Sequence, residues 1–128
     1  MTATERLKQM TVLFAEDEDL PRKSIGNFLK RQVGTLDVAE NGKVALELFL
    51  AHRPAVIITD LEMPVMNGME MIQAIRGMEI SVPIIITTGY DDDEHRCELA
   101  DRTLIKPIIF SKLLETIEEC IREHYGPE

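Results

Sequence analysis

Five short apolar runs punctuate the chain: TVLFA at 11–15, TLDVA at 35–39, AVIIT at 55–59, PIIIT at 83–87 and TLIK at 103–106. Their length and β-branched content predict strands. Between them the apolar positions switch to helical spacing. Ile25, Phe28 and Leu29 share one face of a first helix, Ala45, Leu48 and Phe49 of a second, and Met71, Ile72 and Ile75 of a third; Leu113, Leu114, Ile117 and Ile121 line the last. The stretch from Asp91 to Ala100 also reads as helix, on a weaker stripe. Asp19 with Pro21 suits a helix start, ENG at 40–42 turns the chain into the second helix, and YGP at 125–127 stops the last. Regular alternation of strand and helix predicts an α/β domain with right-handed crossovers and a doubly wound parallel sheet, helices covering both faces. The nearly uniform apolar character of the strands fits burial on both sides.

Charge narrows the functions open to such a domain. Among 128 residues, 23 acids stand against 14 bases, a net charge of -9. Such a surface repels phosphate backbones, so direct nucleic-acid binding by this domain is not expected. The length suits one domain with a real core. Its two cysteines, Cys97 and Cys120, form neither a CxxC pair nor a metal-ligand spacing with histidine, which fits a reducing compartment. No apolar run is long enough to span a bilayer, and MTATERLKQM lacks the apolar core of a signal peptide, so a cytoplasmic protein without a membrane partner is expected.

The chemistry gathers at strand ends. In an open parallel sheet, ligands bind beyond the carboxyl ends of the strands, where strand order reverses. The first strand is followed by Glu16 and Asp17, the third by Asp60, the fourth ends in Thr87 and Thr88, and the fifth in Lys106 before Pro107. If the order is 2-1-3-4-5, strands one and three are neighbours and bring Glu16, Asp17 and Asp60 together. Carboxylates so placed raise one another's pKa unless a cation lies among them. An all-oxygen set with room for water suits Mg2+.

The acidic pair after strand one, Asp60 opening DLEMPVMNG, TTG after strand four and KP after strand five together resemble the receiver domain of two-component response regulators, over roughly residues 11–122. The resemblance implies a flavodoxin-like fold with five strands in the order 2-1-3-4-5. It implies a receiver over 11–124, with an N-terminal extension at 1–10 and a tail at 125–128. It makes Asp60 the phosphoacceptor, which would take a phosphoryl group from a phosphohistidine of a sensor histidine kinase or phosphotransfer protein. Asp17, the Asp60 carboxylate and the backbone carbonyl of Glu62 would hold Mg2+, with Glu16 reaching the ion through water. Thr88 and Lys106 would contact phosphoryl oxygens, and the Lys106-Pro107 peptide bond would be cis. Side chains at Glu62 and Tyr90 would modulate access of the hydrolytic water. An output domain, a partner protein or a phosphorylation-dependent dimer would read the switch.

The chain also departs from that family. Thr103 stands where an aromatic switch residue is usual, and eighteen positions separate Thr88 from Lys106, short by about one helical turn. The helix between strands four and five is therefore expected to be short or irregular. Two rival functions use related chemistry. A Mg2+-dependent phosphatase with an aspartyl nucleophile would want a second aspartate two positions after Asp60, where Glu62 stands. A receiver-like scaffold that accepts no phosphate would not need Asp17, Asp60, Thr88 and Lys106 together. The acids at 91–94 read as first-turn residues favoured by a helix dipole, and the seven methionines read as core filler.

Overall fold

The computed structural model describes residues 1–91 and 97–127. Helix α1 spans Ala3–Leu7, β1 Thr11–Ala15, α2 Asp19–Lys30, β2 Thr35–Ala39, α3 Gly42–His52, β3 Val56–Asp60, α4 Gly68–Gly77, β4 Ile84–Thr88, β5 Arg102–Ile105 and α5 Phe110–Tyr125. The strands pair in parallel in the order β2-β1-β3-β4-β5, so β1 and β3 are neighbours at the reversal point.

Alternation along the central strands divides the core in two. Val12, Phe14, Val56, Ile58 and Ile85 face α1, α2 and α5; Leu13, Ala15, Ile57, Ile84 and Ile86 face α3 and α4. β1, β3 and β4 are buried along nearly their whole length, as continuous apolar runs require. β2 and β5 are not. At the two edges of the sheet, β2 is half-buried or exposed at every position but Ala39 and β5 alternates between half-buried and exposed, which corrects the expectation of burial on both faces for those strands.

α1 was not foreseen. Thr2 and Glu5 form a capping box at its start, and Ala3 and Leu7 bury against the α2 and α5 side of the core. Arg6 donates from both terminal nitrogens to the carbonyls of Tyr125 and Gly126, each at 2.7 Å, closing the end of α5. Of the helix expected over 91–100, residues 92–96 lie outside the described residues, and 98–100 form a turn and bend. No helix among the described residues is long and apolar enough to cross a membrane.

Candidate functional site

Because β1 and β3 adjoin, the loops after them meet. The loop after β3 is tightly fixed. Asn67 caps α4 and forms a capping box with Glu70, while the Gly68 N–H donates to the Leu61 carbonyl at 2.9 Å. The Gly42 N–H, at the start of α3, donates to the Met66 carbonyl at 2.8 Å and ties the loop to the neighbouring helix. Glycine is demanded at both places. A Cβ on Gly68 would lie 2.2 Å from the Asp60 carbonyl oxygen, and one on Gly42 would lie 2.3 Å from that of Met66. Between them the Met66 N–H bonds back to Pro64 at 2.7 Å across Val65, whose φ of 69° is costly for a β-branched residue.

This scaffold leaves Asp60 at the last position of β3, 4% exposed, where an uncompensated carboxylate would be expensive. Lys106 compensates it. Its Nζ lies 2.9 Å from Asp60 Oδ2 and 3.0 Å from Glu16 Oε1, bridging the ends of β1 and β3 from the exit of β5. The Lys106-Pro107 bond that follows is cis. Burial works against the lysine's charge, but its hydrogen bonds to Asp60 and Glu16 outweigh that and raise its pKa above the usual range. Burial pushes the Glu16 carboxyl up to about 6; the charge of Asp60 adds to this, against the downward pull of the Glu18 N–H and Lys106.

Asp17, Asp60, Glu62, Thr88, Tyr90 and Lys106 line one cleft of about 500 Å3, together with Glu18 and Gly89. Glu16 lies behind Lys106. Thr88 is buried, and its Oγ1 accepts the Tyr90 N–H at 3.2 Å, while a hydroxyl that accepts one bond can still donate its own hydrogen. Asp60 Oδ1 accepts the Glu62 N–H at 3.4 Å. Thr103 is not part of this cleft: it is exposed on the edge strand and lines a separate groove with Ile105, Pro107 and Lys112.

Sequence reasoning passed over two participants. Glu18 brings a carboxylate oxygen within 4.8 Å of Glu16 and Asp17, so among the described residues Glu16, Asp17 and Glu18 form an acidic cluster, and Asp60 lines the same cleft as Asp17 and Glu18. The unbroken acidic run from Glu16 to Asp19 was its signal. Arg22, one turn into α2, donates to the carbonyls of Glu16 at 3.2 Å and Asp17 at 2.9 Å and also pairs with Asp19, which holds the acidic loop in place. The donor set is all oxygen and fits a hard divalent cation. Both Glu16 oxygens are engaged, one by Lys106 and one by the Glu18 N–H at 3.1 Å, and Glu16 does not line the cleft, whereas Asp17, Glu18, Asp60 and Glu62 do.

Residues 12–118 match the family described as response regulator receiver domain. This chain is a response regulator receiver. The receiver is 33% identical over 117 residues to a cyclic di-GMP phosphodiesterase of Thermotoga maritima, covering 88% of this chain and 31% of that protein. It is 30% identical over 117 residues to the transcriptional regulatory protein CusR of Escherichia coli, covering 88% of this chain and 52% of CusR. It therefore spans about a third of the first of these relatives and about half of the second. Among solved structures, the chemotaxis response regulator CheY4 of Vibrio cholerae superposes with a TM-score of 0.78 at 27% identity, over 88% of the receiver and 98% of CheY4.

Proposed function

We propose that the receiver accepts a phosphoryl group on Asp60 and works as a signalling switch rather than as an enzyme with a turnover substrate. The supporting observation is the Lys106 ammonium bridging Asp60 and Glu16 at the head of a cleft that also holds Asp17 and Thr88. In the transfer, an Asp60 carboxylate oxygen bonds to phosphorus as the P–N bond to a partner's histidine breaks. The Lys106 ammonium then has a phosphoryl oxygen to neutralise in place of the carboxylate, and Thr88 has an oxygen to receive its hydroxyl hydrogen. Asp17, Asp60 and the Glu62 carbonyl would hold Mg2+, with Glu16 and Glu18 acting through water. When bound, the ion supplies positive charge to the phosphoryl oxygens.

The donor is a sensor histidine kinase or a phosphotransfer protein, and the reader is an output domain, a partner protein or a second copy. Cytoplasmic residence follows from such partners. The test is labelling with acetyl phosphate and Mg2+. Wild type gives a base-labile acyl phosphate, Asp60→Asn gives none, and Asp17→Asn raises the Mg2+ concentration needed at least ten-fold. Undiminished labelling of Asp60→Asn overturns the assignment.

A further inference from the structure

The flank of α2 that faces β2 differs from the rest of this acidic surface. α2 carries Arg22, Lys23 and Lys30 and is followed by Arg31, while its single acid, Asp19, pairs with Arg22. Lys23 and Lys30 are exposed, and among the described residues no ion pair engages either. Opposite them, Leu36 and Val38 of β2 line the same groove of about 190 Å3. Val38 is 38% exposed, a large apolar side chain left uncovered. The groove shares no residue with the cleft around Asp60.

β2 is also an edge. It pairs with β1 alone, so the backbone groups along its other side meet no strand among the described residues. Natural edges are commonly blunted by lysine or proline. TLDVA contains neither, and its one charge, Asp37, is held by His52 at 2.8 Å. A third feature lies between the cations. Gly26, in the middle of α2, lines the groove, and a Cβ there would meet nothing within 4 Å. No contact inside the chain calls for glycine, although only proline is a poorer helix former.

We propose that this groove docks an extended acidic segment of a partner protein, which adds its backbone to the free edge of β2. Alternate side chains of the added strand would place carboxylates against Lys23 and Lys30 and fill the notch over Gly26. Charge complementarity selects the occupant: the bases are concentrated here in a chain of net charge -9. The open edge selects its class. Only a polypeptide answers a row of backbone donors and acceptors; a nucleic acid or a membrane surface would use the cations and leave the edge unpaired.

The probe is a capped peptide of roughly seven residues alternating glutamate and valine, titrated into the 15N-labelled, unphosphorylated full chain. Saturable shifts of the amides of 35–39 and 23–30 are expected. Charge reversal by Lys23→Glu with Lys30→Glu weakens binding about five-fold or more, as loss of two exposed ion pairs should. Gly26→Val weakens it too, and circular dichroism checks that both variants fold. A peptide alternating glutamate and proline, which lacks half the backbone donors, should not bind. Absence of shifts in 35–39 overturns the proposal. Equal binding of the proline peptide or of a single-stranded oligonucleotide also does, since either would mean general attraction to the cations.

Discussion

Gly68→Ala is the sharpest test of how the fold positions Asp60. A methyl group at 68 would lie 2.2 Å from the Asp60 carbonyl oxygen and 3.0 Å from Leu61 Cα, both backbone atoms. Comfortable nonbonded separation is about 3.5 Å, so roughly 1.3 Å must be recovered by moving α4 or the end of β3. Alanine improves helix propensity by up to about 1 kcal/mol, but overpacking against rigid atoms costs about 1–3 kcal/mol, so a net loss of about 1–2 kcal/mol is expected. With a urea slope near 1.5 kcal/mol/M, the unfolding midpoint falls by about 1 M. Displacement of the carbonyl also displaces the carboxylate, and an error of about 1 Å in a reacting group can cost up to 100-fold in rate. Phosphorylation by acetyl phosphate should therefore slow more than ten-fold even where the variant is fully folded. Gly77→Ala is the control, because a Cβ there meets nothing within 4 Å; it should leave both quantities unchanged or raise stability slightly. If Gly68→Ala unfolds at the wild-type midpoint and is phosphorylated at the wild-type rate, the account of this loop is wrong.

Val65→Asn should raise the thermal midpoint by roughly 3–6 °C, because asparagine tolerates the positive φ that valine resists; an unchanged or lower midpoint in calorimetry counts against strain at this turn. Burial pushes the Cys120 thiol up to about 11, with the nearby Asp101, Glu123 and Glu119 adding to the effect against Arg102. Its reactive thiolate is therefore scarce below that pH, and Cys120 should resist iodoacetamide at pH 8 in the folded protein yet react readily in urea, as read by mass spectrometry. Beryllofluoride with Mg2+ should change hydrogen exchange at the Tyr90 amide, which Thr88 holds, and leave the Asp101 amide, which bonds to the Ile84 carbonyl, as it was. Identical exchange at Tyr90 in both states would refute a link through Thr88.

Much of this was legible in the sequence because it is local. β1 and β2 occupy the residues their apolar runs predict, and Asn41 caps α3 where ENG places a turn. β3 and β4 each run one residue later than their apolar runs, to Asp60 and Thr88, since polar residues at a strand end still pair: Asp60 opposes Thr87, and Thr88 opposes Ile105. β5 starts and ends one residue earlier than expected. α1 escaped notice because five residues hold too few turns to display a period; its only sequence signal is Thr2 with Glu5. The exposure of β2 and β5 depends on strand order, which no single strand encodes. The bond between Glu16 and Lys106 joins residues 90 positions apart, and only the assembled sheet brings them together.

The departure at Thr103 gains meaning from its surroundings. An exposed threonine on the edge strand offers no ring that could turn inward behind Thr88. Thr88 is instead tied to the segment leading out of β4, through the bond its hydroxyl accepts from the Tyr90 N–H. The other end of that segment is anchored. Arg76 of α4 donates to the Leu99 carbonyl at 3.0 Å and to Asp101 at 3.1 Å, and it holds the Val82 carbonyl at 2.8 Å. Asp101 in turn accepts the Ile84 N–H at 2.8 Å. A hydroxyl drawn toward a phosphoryl oxygen would lengthen this bond to the Tyr90 N–H, while Arg76 holds the Asp101 end. Exchange at the Tyr90 and Asp101 amides therefore reads the two ends of this connection separately.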